Sequence, residues 1–321
     1  VTSLSELEPE IVPPDAVEAR VRGRSPLQLA WARFRDDKVA LAFLVILALI
    51  VVFALLAPLW ASWTGHPYSA TFPKTGLDVN GQPVGPSRDF WLGADQLGRD
   101  VLVRAAYGAR ISLLVGIAAA ALASVVGVLV GTLAGYIGGA SDAVLARLMD
   151  ITLALPYLLI AITLAVTFQV QSVAASLTMT IAVIAFFSFA ATGRIIRGQV
   201  MSIKQKEFIE AARSLGAGRW RIMFVDVLPN LVAQITVLSS LLIPTSIVFE
   251  STLSFLGVGV RPPMPSWGAM LGEGSEVFQT AWWLLVVPAV LLLLTTLSFN
   301  LLGDAIRDAM DPRGDRQSGG K

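Results

Sequence analysis

Between Asp150 and Arg194 the chain runs 43 residues without a charged side chain. As a helix that run would be about 65 Å long, twice the roughly 30 Å hydrocarbon core of a bilayer. It must cross and fold back, and the polar interruption Gln169-Val170-Gln171-Ser172 is the expected break between two spans. Four other apolar blocks are each long enough for one span: Val39 to Trp63, Ile111 to Ile137, Val227 to Leu256 (uncharged as far as Glu250) and Phe278 to Leu302. The reading is an all-α, polytopic membrane protein with six transmembrane helices.

Composition closes off the alternatives. Only 15% of residues are charged, against about 25% in a typical soluble domain, which excludes a soluble enzyme, a disordered chain and a nucleic-acid binder. There is no cysteine, so disulfides, iron–sulfur clusters and thiolate zinc sites are excluded. The one histidine, His66 between Gly65 and Pro67, reads as a solvated loop residue; a metal site needs several ligands, and none is expected. A membrane enzyme would need a cluster of His, Asp, Cys or Glu at bilayer depth, which is missing. An ion-coupled transporter would carry ionisable groups in mid-membrane, and only Glu250 lies inside a span, near its outer end.

Basic residues set the orientation. With the N-terminus inside, eighteen of the 24 Lys and Arg residues fall on the cytoplasmic side, and Lys74, Arg88, Arg99, Arg104, Arg110 and Arg261 remain outside. Both termini are expected inside, and no signal peptide is read before span one. Trp60, Trp63, Trp282 and Trp283 fall at outer span ends, where indole anchors in the headgroup zone. In span two, Ala119, Ala123, Gly127, Gly131, Gly135 and Gly139 recur every four residues. A face so bare lets another helix approach to backbone contact; it serves packing within the chain, or it lies at the seam with a partner subunit or along a moving pathway.

The segment between spans four and five carries the function. Glu207 to Leu215 has good helix propensity, and Phe208, Ala211, Ala212 and Leu215 form an apolar stripe while Glu207, Glu210 and Arg213 face elsewhere. Gly216 is placed as a left-handed stop, and a second short helix, about Gly218 to Val227, leads to Pro229. The expected product is a helix–turn–helix knob in the cytoplasm.

The spacing Glu210-Ala211-Ala212, Gly216, Leu228-Pro229 resembles the EAA motif of permease subunits of ATP-binding-cassette importers; Asp226 stands where that motif often has isoleucine. Three further stretches resemble the C-type permeases of dipeptide and oligopeptide importers: Ser25 to Leu59, Leu92 to Val101 with Tyr107 to Leu113, and Glu250 to Gly259 with Pro262-Pro263 and Pro265 to Gly268. The resemblance spans about residues 25–312. Gly65 to Asp89, with its Asn80-Gly81 turn signal, stands apart as a local outside elaboration that could touch a binding protein.

The resemblance implies the type I importer permease fold and a place in the bacterial cytoplasmic (inner) membrane. It implies a B-type second permease, one or two P-loop ATPase subunits and an extracellular or periplasmic substrate-binding protein as partners. This chain has no GxxxxGK[ST] loop, so ATP and Mg2+ are expected in the ATPase subunits and no cofactor here. Glu207, Phe208, Glu210, Ala211, Ala212, Arg213, Leu215 and Gly216 would couple to the ATPase. Read from its own position, Glu250 either makes a structural hydrogen bond that caps the bend before Ser254 or lines the outer pathway and meets a cationic group such as a peptide's amino terminus. The implied layout is a cytoplasmic tail with a basic amphipathic segment (1–38), span one (39–63), an external loop (64–108), a permease core (109–302) holding the coupling loop 204–230, and a cytoplasmic tail (303–321). Cargo stays open between peptides and nickel, glutathione or another small solute.

Overall fold

The computed structural model describes residues 34–168 and 172–310. Among them the structure is helical, with two isolated antiparallel bridges, Leu77 with Pro83 and Ala94 with Asp100. The principal helices are α1 (Lys38–Leu55), α2 (Ala57–Thr64), α3 (Val101–Ile137), α4 (Gly139–Ala154), α5 (Tyr157–Thr167), α6 (Val173–Ile203), α7 (Glu207–Ser214), α8 (Val232–Phe255), α9 (Trp267–Ser275) and α10 (Trp283–Met310). Among the described residues five helices are long and apolar enough to cross a membrane, or six spans are present if α4 and α5 together make one bent span.

Two spans differ from the sequence reading, both because of proline. The apolar stretch before Phe168 is not straight: α4 and α5 meet at 85°. Pro156 lacks an N–H and drives the preceding Leu155 to extended backbone (φ −75°, ψ 135°). Span one is likewise broken at Leu56, just before Pro58; the Leu55 carbonyl accepts Arg110 Nη2–H at 3.2 Å. The expected break near Gln169 is consistent with α5 ending at Thr167 and with Ser172 capping α6 by accepting Ala175 N–H at 3.1 Å. Residues 169–171 themselves lie outside the described residues.

Span two begins ten residues before the uncharged block, at Val101, where the Asp100 carboxylate caps Leu102 and Val103. A helix of 37 residues is about 55 Å long, so Arg104 and Arg110 ride on its first turns beyond the hydrocarbon. α3 and α6 form the most extensive pairing, with α8 against α3 and α10 against α8 and α1.

The ends sort to two faces. The C-terminal ends of α3 and α6 pack with α7 and the start of α8 through Tyr136, Val200, Ile209 and Leu231. Leu55 of α1 lies beside Arg110, at the far end of α3, which places Lys38 toward the α7 face. Trp283 of α10 packs against Val101 of α3, so Met310 also points toward the α7 face. The segment 65–100 and the stretch from Leu256 to Trp282 occupy the opposite face.

Candidate functional site

The α7 knob is built by local chemistry. Glu207 and Glu210 lie in its first turn and Arg213 in its last, the signs a helix dipole favours. Its C-terminus closes in a double backbone clasp: Gly216 N–H donates to the Arg213 carbonyl at 2.9 Å and Ala217 N–H to the Ala212 carbonyl at 3.0 Å. The clasp needs the left-handed conformation that Gly216 adopts (φ +81°). A side chain there would meet open space, so backbone strain, about 1–2 kcal/mol, is the whole cost of replacing it.

The predicted apolar stripe divides in two. Phe208, Ala211 and Leu215 face outward, Leu215 at 88% exposure, alongside the exposed Glu207, Glu210 and Arg213. Ala212 turns inward instead and packs on the cluster beneath. Sequence reasoning passed over the residue that anchors the helix: Ile209 is fully buried among Val200, Ile222, Met223 and Val227. Its spacing of three from Ala212 marks an inner face opposite the outer one. The chain after Gly216 is helical as expected, with a wider π-helical turn over Ile222–Val227. Trp220 and Phe224 stack there with ring centres 6.2 Å apart.

Glu250 is not on an open pathway in this conformation. It is fully buried, and its carboxylate accepts Ser112 Oγ–H at 2.8 Å, Ser254 Oγ–H at 2.7 Å and Ser251 Oγ–H at 3.4 Å. Ser112 Oγ also accepts the backbone N–H of Trp267 at 3.2 Å. A carboxylate this deep is tolerable only when its lone pairs are occupied. It joins α3, α8 and the start of α9.

The small-residue row serves contacts within the chain. A methyl group at Gly127 would stand 2.8 Å from the Phe189 carbonyl oxygen, and one at Gly135 2.7 Å from that of Arg197. Gly131 faces Gly193 and Ile196 of the same helix. The three glycines are buried against α6, so this face is filled by the chain's own helix rather than left for a second subunit. Gly139 departs from the row: it lies past the end of α3, exposed and at φ +60°.

Other charges pair across helices. Arg104, 2% exposed, lies 3.2 Å from Asp95 and 2.9 Å from Glu273 of α9, and Arg99 contacts the same two carboxylates. The spacing of four between Asp95 and Arg99 was the available signal. On the α7 face, Arg197 binds Asp142 and Arg194 binds Asp150, tying α4 to α6. His66 is not a free loop residue. Its Nδ1 lies 2.8 Å from Asp100, and its ring stacks on Phe90. Trp63 and Trp282 are exposed as interfacial anchors would be, but Trp283 is buried and donates to the Ala94 carbonyl at 3.1 Å. At Asn80-Gly81 the expected tight turn forms, with Asp78 N–H donating to the Gln82 carbonyl at 2.8 Å.

Residues 127–316 match the family described as the inner membrane component of binding-protein-dependent transport systems, and residues 25–79 match the N-terminal transmembrane domain of oligopeptide transport permease C. The chain belongs to this permease family. The permease is 39% identical over 310 residues to the oligopeptide transport system permease protein OppC of Escherichia coli, covering 97% of this chain and 99% of that one. It is 40% identical over 291 residues to the di/tripeptide transport system permease protein DppC of Pseudomonas aeruginosa, covering 90% and 93%. A glutathione transport system permease protein, GsiD of Pectobacterium atrosepticum, is 38% identical over 290 residues, covering 90% and 92%. The first part of the Gly65–Asp89 segment therefore falls within the family's N-terminal domain rather than standing outside it. Among solved structures, a chain of the inward-facing MetNI methionine ABC transporter shares the fold, with a TM-score of 0.53 at 17% identity, covering 64% of the permease and 94% of that chain. The permease is a transport subunit of an ABC system.

Proposed function

We propose that the permease is one of two non-identical membrane subunits of an ATP-driven importer of dipeptides or oligopeptides, fed by an external binding protein. The carrying observation is the two-sided α7: Ile209 locks its inner face to the ends of α3 and α6 while Phe208 and Leu215 stand exposed. Exposed Leu and Phe gain about 1.5–3 kcal/mol each when buried, so this face supports docking to an ATPase cleft. A push on α7 passes through Ile209 to Val200 and Tyr136, the ends of the paired helices. ATP-driven closure of the ATPases would thus reorient α3 and α6, and the pathway would open alternately to each side. The α7 face is taken as cytoplasmic because the basic residues gather there.

Reconstitution with a second permease, the ATPases and a peptide-loaded binding protein tests the reading. Peptide uptake that needs every component supports it; uptake by the permease without an ATPase would overturn it. The likeness to a glutathione transport permease supports a second cargo, and glutathione in place of the peptide separates the two.

A further inference from the structure

On the face opposite α7, a cavity of about 350 Å³ opens between α5, α6 and the chain leaving α8. Met179, Val183 and Leu253 supply apolar wall, Ser176 and Thr180 supply hydroxyls, and Arg261 is the one charged residue lining it. An apolar groove shares Met179 and Val183 with this cavity and extends it toward Phe168. The volume lies in the range of small-ligand pockets.

Arg261 differs from the outer-face arginines at the start of α3, and from Arg88, which is also exposed and in no ion pair among the described residues but borders a separate recess beside His66 and Trp91. Arg99 and Arg104 are neutralised by Asp95 and Glu273, and Arg110 lies over the Tyr107 ring and binds the Leu55 carbonyl. The Arg261 side chain is exposed and takes part in no ion pair among the described residues. Its backbone, in contrast, is held. α8 ends in a left-handed Gly257 (φ +76°), with Val258 N–H donating to the Leu253 carbonyl at 2.9 Å. Ser254 Oγ accepts Val260 N–H and Ser176 Oγ accepts Arg261 N–H, each at 3.3 Å. A methyl group at Gly259 would lie 2.7 Å from Ser254 Cα, so this close return admits no side chain. A fixed backbone thus presents a free guanidinium at the rim of an apolar cavity.

We infer that Arg261 and this cavity form a carboxylate-binding subsite for the transported solute. The guanidinium fork takes the terminal carboxylate in two parallel hydrogen bonds, and Met179 and Val183 receive the apolar side chain beside it. The inference rests on the importer reading and deepens it. Every unmodified linear peptide carries one terminal carboxylate whatever its sequence, so an importer that tolerates many sequences can use this group. A lipid phosphate shares the anionic chemistry, and the experiment separates the two sources.

The test uses the full reconstituted complex, comparing wild type with Arg261→Gln and Arg261→Lys. Uptake is measured at saturating binding protein for one tripeptide with a free and with an amidated C-terminus. The binding protein's own preference is common to all variants and cancels in the ratio. Arg261→Gln should cut the free-to-amidated uptake ratio about tenfold, the scale of one charge-assisted hydrogen-bond pair. Arg261→Lys, which keeps the charge but lacks the fork, should retain only part of it, and basal ATP hydrolysis should not change. As a second readout, a peptide ending in benzoylphenylalanine should crosslink to Met179 in wild type and lose that crosslink in Arg261→Gln. An unchanged ratio with an unchanged crosslink overturns the subsite. Equal losses for both peptides overturn it too: they assign Arg261 to lipid if replacing anionic lipid by phosphatidylcholine reproduces them, and to the second permease if that subunit no longer co-purifies. A wild-type complex that imports no peptide would instead sink the importer reading, and this assignment with it.

Discussion

Ser112 on α3 donates its hydroxyl to the Glu250 carboxylate on α8 at 2.8 Å while accepting the Trp267 N–H. Ser112 therefore holds two spans and the start of α9 together, and Glu250 reaches through Ser254 to the chain that carries Arg261. Glu250→Ala would leave three serine hydroxyls and a cavity in the core. Each lost buried partner costs about 1–3 kcal/mol, so membrane abundance and thermal stability should fall steeply. Glu250→Gln keeps an acceptor at the same place and should be milder. Fluorescence-detected size exclusion on heated membranes reads both. Wild-type stability with abolished uptake in Glu250→Ala would place Glu250 in the pathway after all.

The α3–α6 contact is limited by glycine. Gly127→Ala and Gly135→Ala each drive a methyl group to within 3 Å of a carbonyl oxygen on α6. Overpacking of this kind costs about 1–3 kcal/mol. Gly198, inside α6, has open space around it, so Gly198→Ala should be neutral to slightly stabilising. The melting temperature of the purified complex should drop for the first two variants only. Equal behaviour of all three would mean that the helices part easily along this face.

On α7 the two faces predict two kinds of failure. Leu215→Asp alters only the exposed face and should leave the permease stable while uncoupling ATP hydrolysis from the loaded binding protein. Gly216→Asp and Glu210→Lys should act in the same way, Gly216→Asp through the strained clasp. Ile209→Ala removes a fully buried side chain at a cost of about 2–5 kcal/mol, and should lose coupling together with protease resistance in the loop. Stimulated ATPase activity alongside limited proteolysis separates the classes. Full coupling in Leu215→Asp and Gly216→Asp would remove α7 from the transmission path.

Topology can be read directly because the chain has no cysteine. Single cysteines at Lys206 and Asn80 should behave oppositely toward an impermeant maleimide on intact spheroplasts, with Asn80→Cys labelled and Lys206→Cys protected until lysis. Labelling of Lys206→Cys from outside would invert the orientation.

The membrane class, the uncharged blocks and the knob were legible in the chain, because each rests on local chemistry. A charge-free run can only cross lipid, and Gly216 after Glu207–Ser214 closes a helix by a backbone preference that needs no neighbour. Pro156 and Pro58 account for the bends the hydropathy reading left straight, but a proline in an apolar run does not by itself mark a bend, since Pro244 and Pro288 lie inside the continuous helices α8 and α10. Tertiary structure alone decided which residues are enclosed. Phe208 and Ile209 are adjacent in sequence and similar in hydrophobicity, yet one is exposed and the other fully buried, because only the approach of Val200 and Ile222 distinguishes the two sides of α7. Glu250 and Arg261 were both read as outer-end charges. The fold enclosed the first among three serines and left the second free at a cavity rim, since a charge's surroundings are set by elements distant in the chain, here α3, α6 and α9, whose arrival no local pattern records.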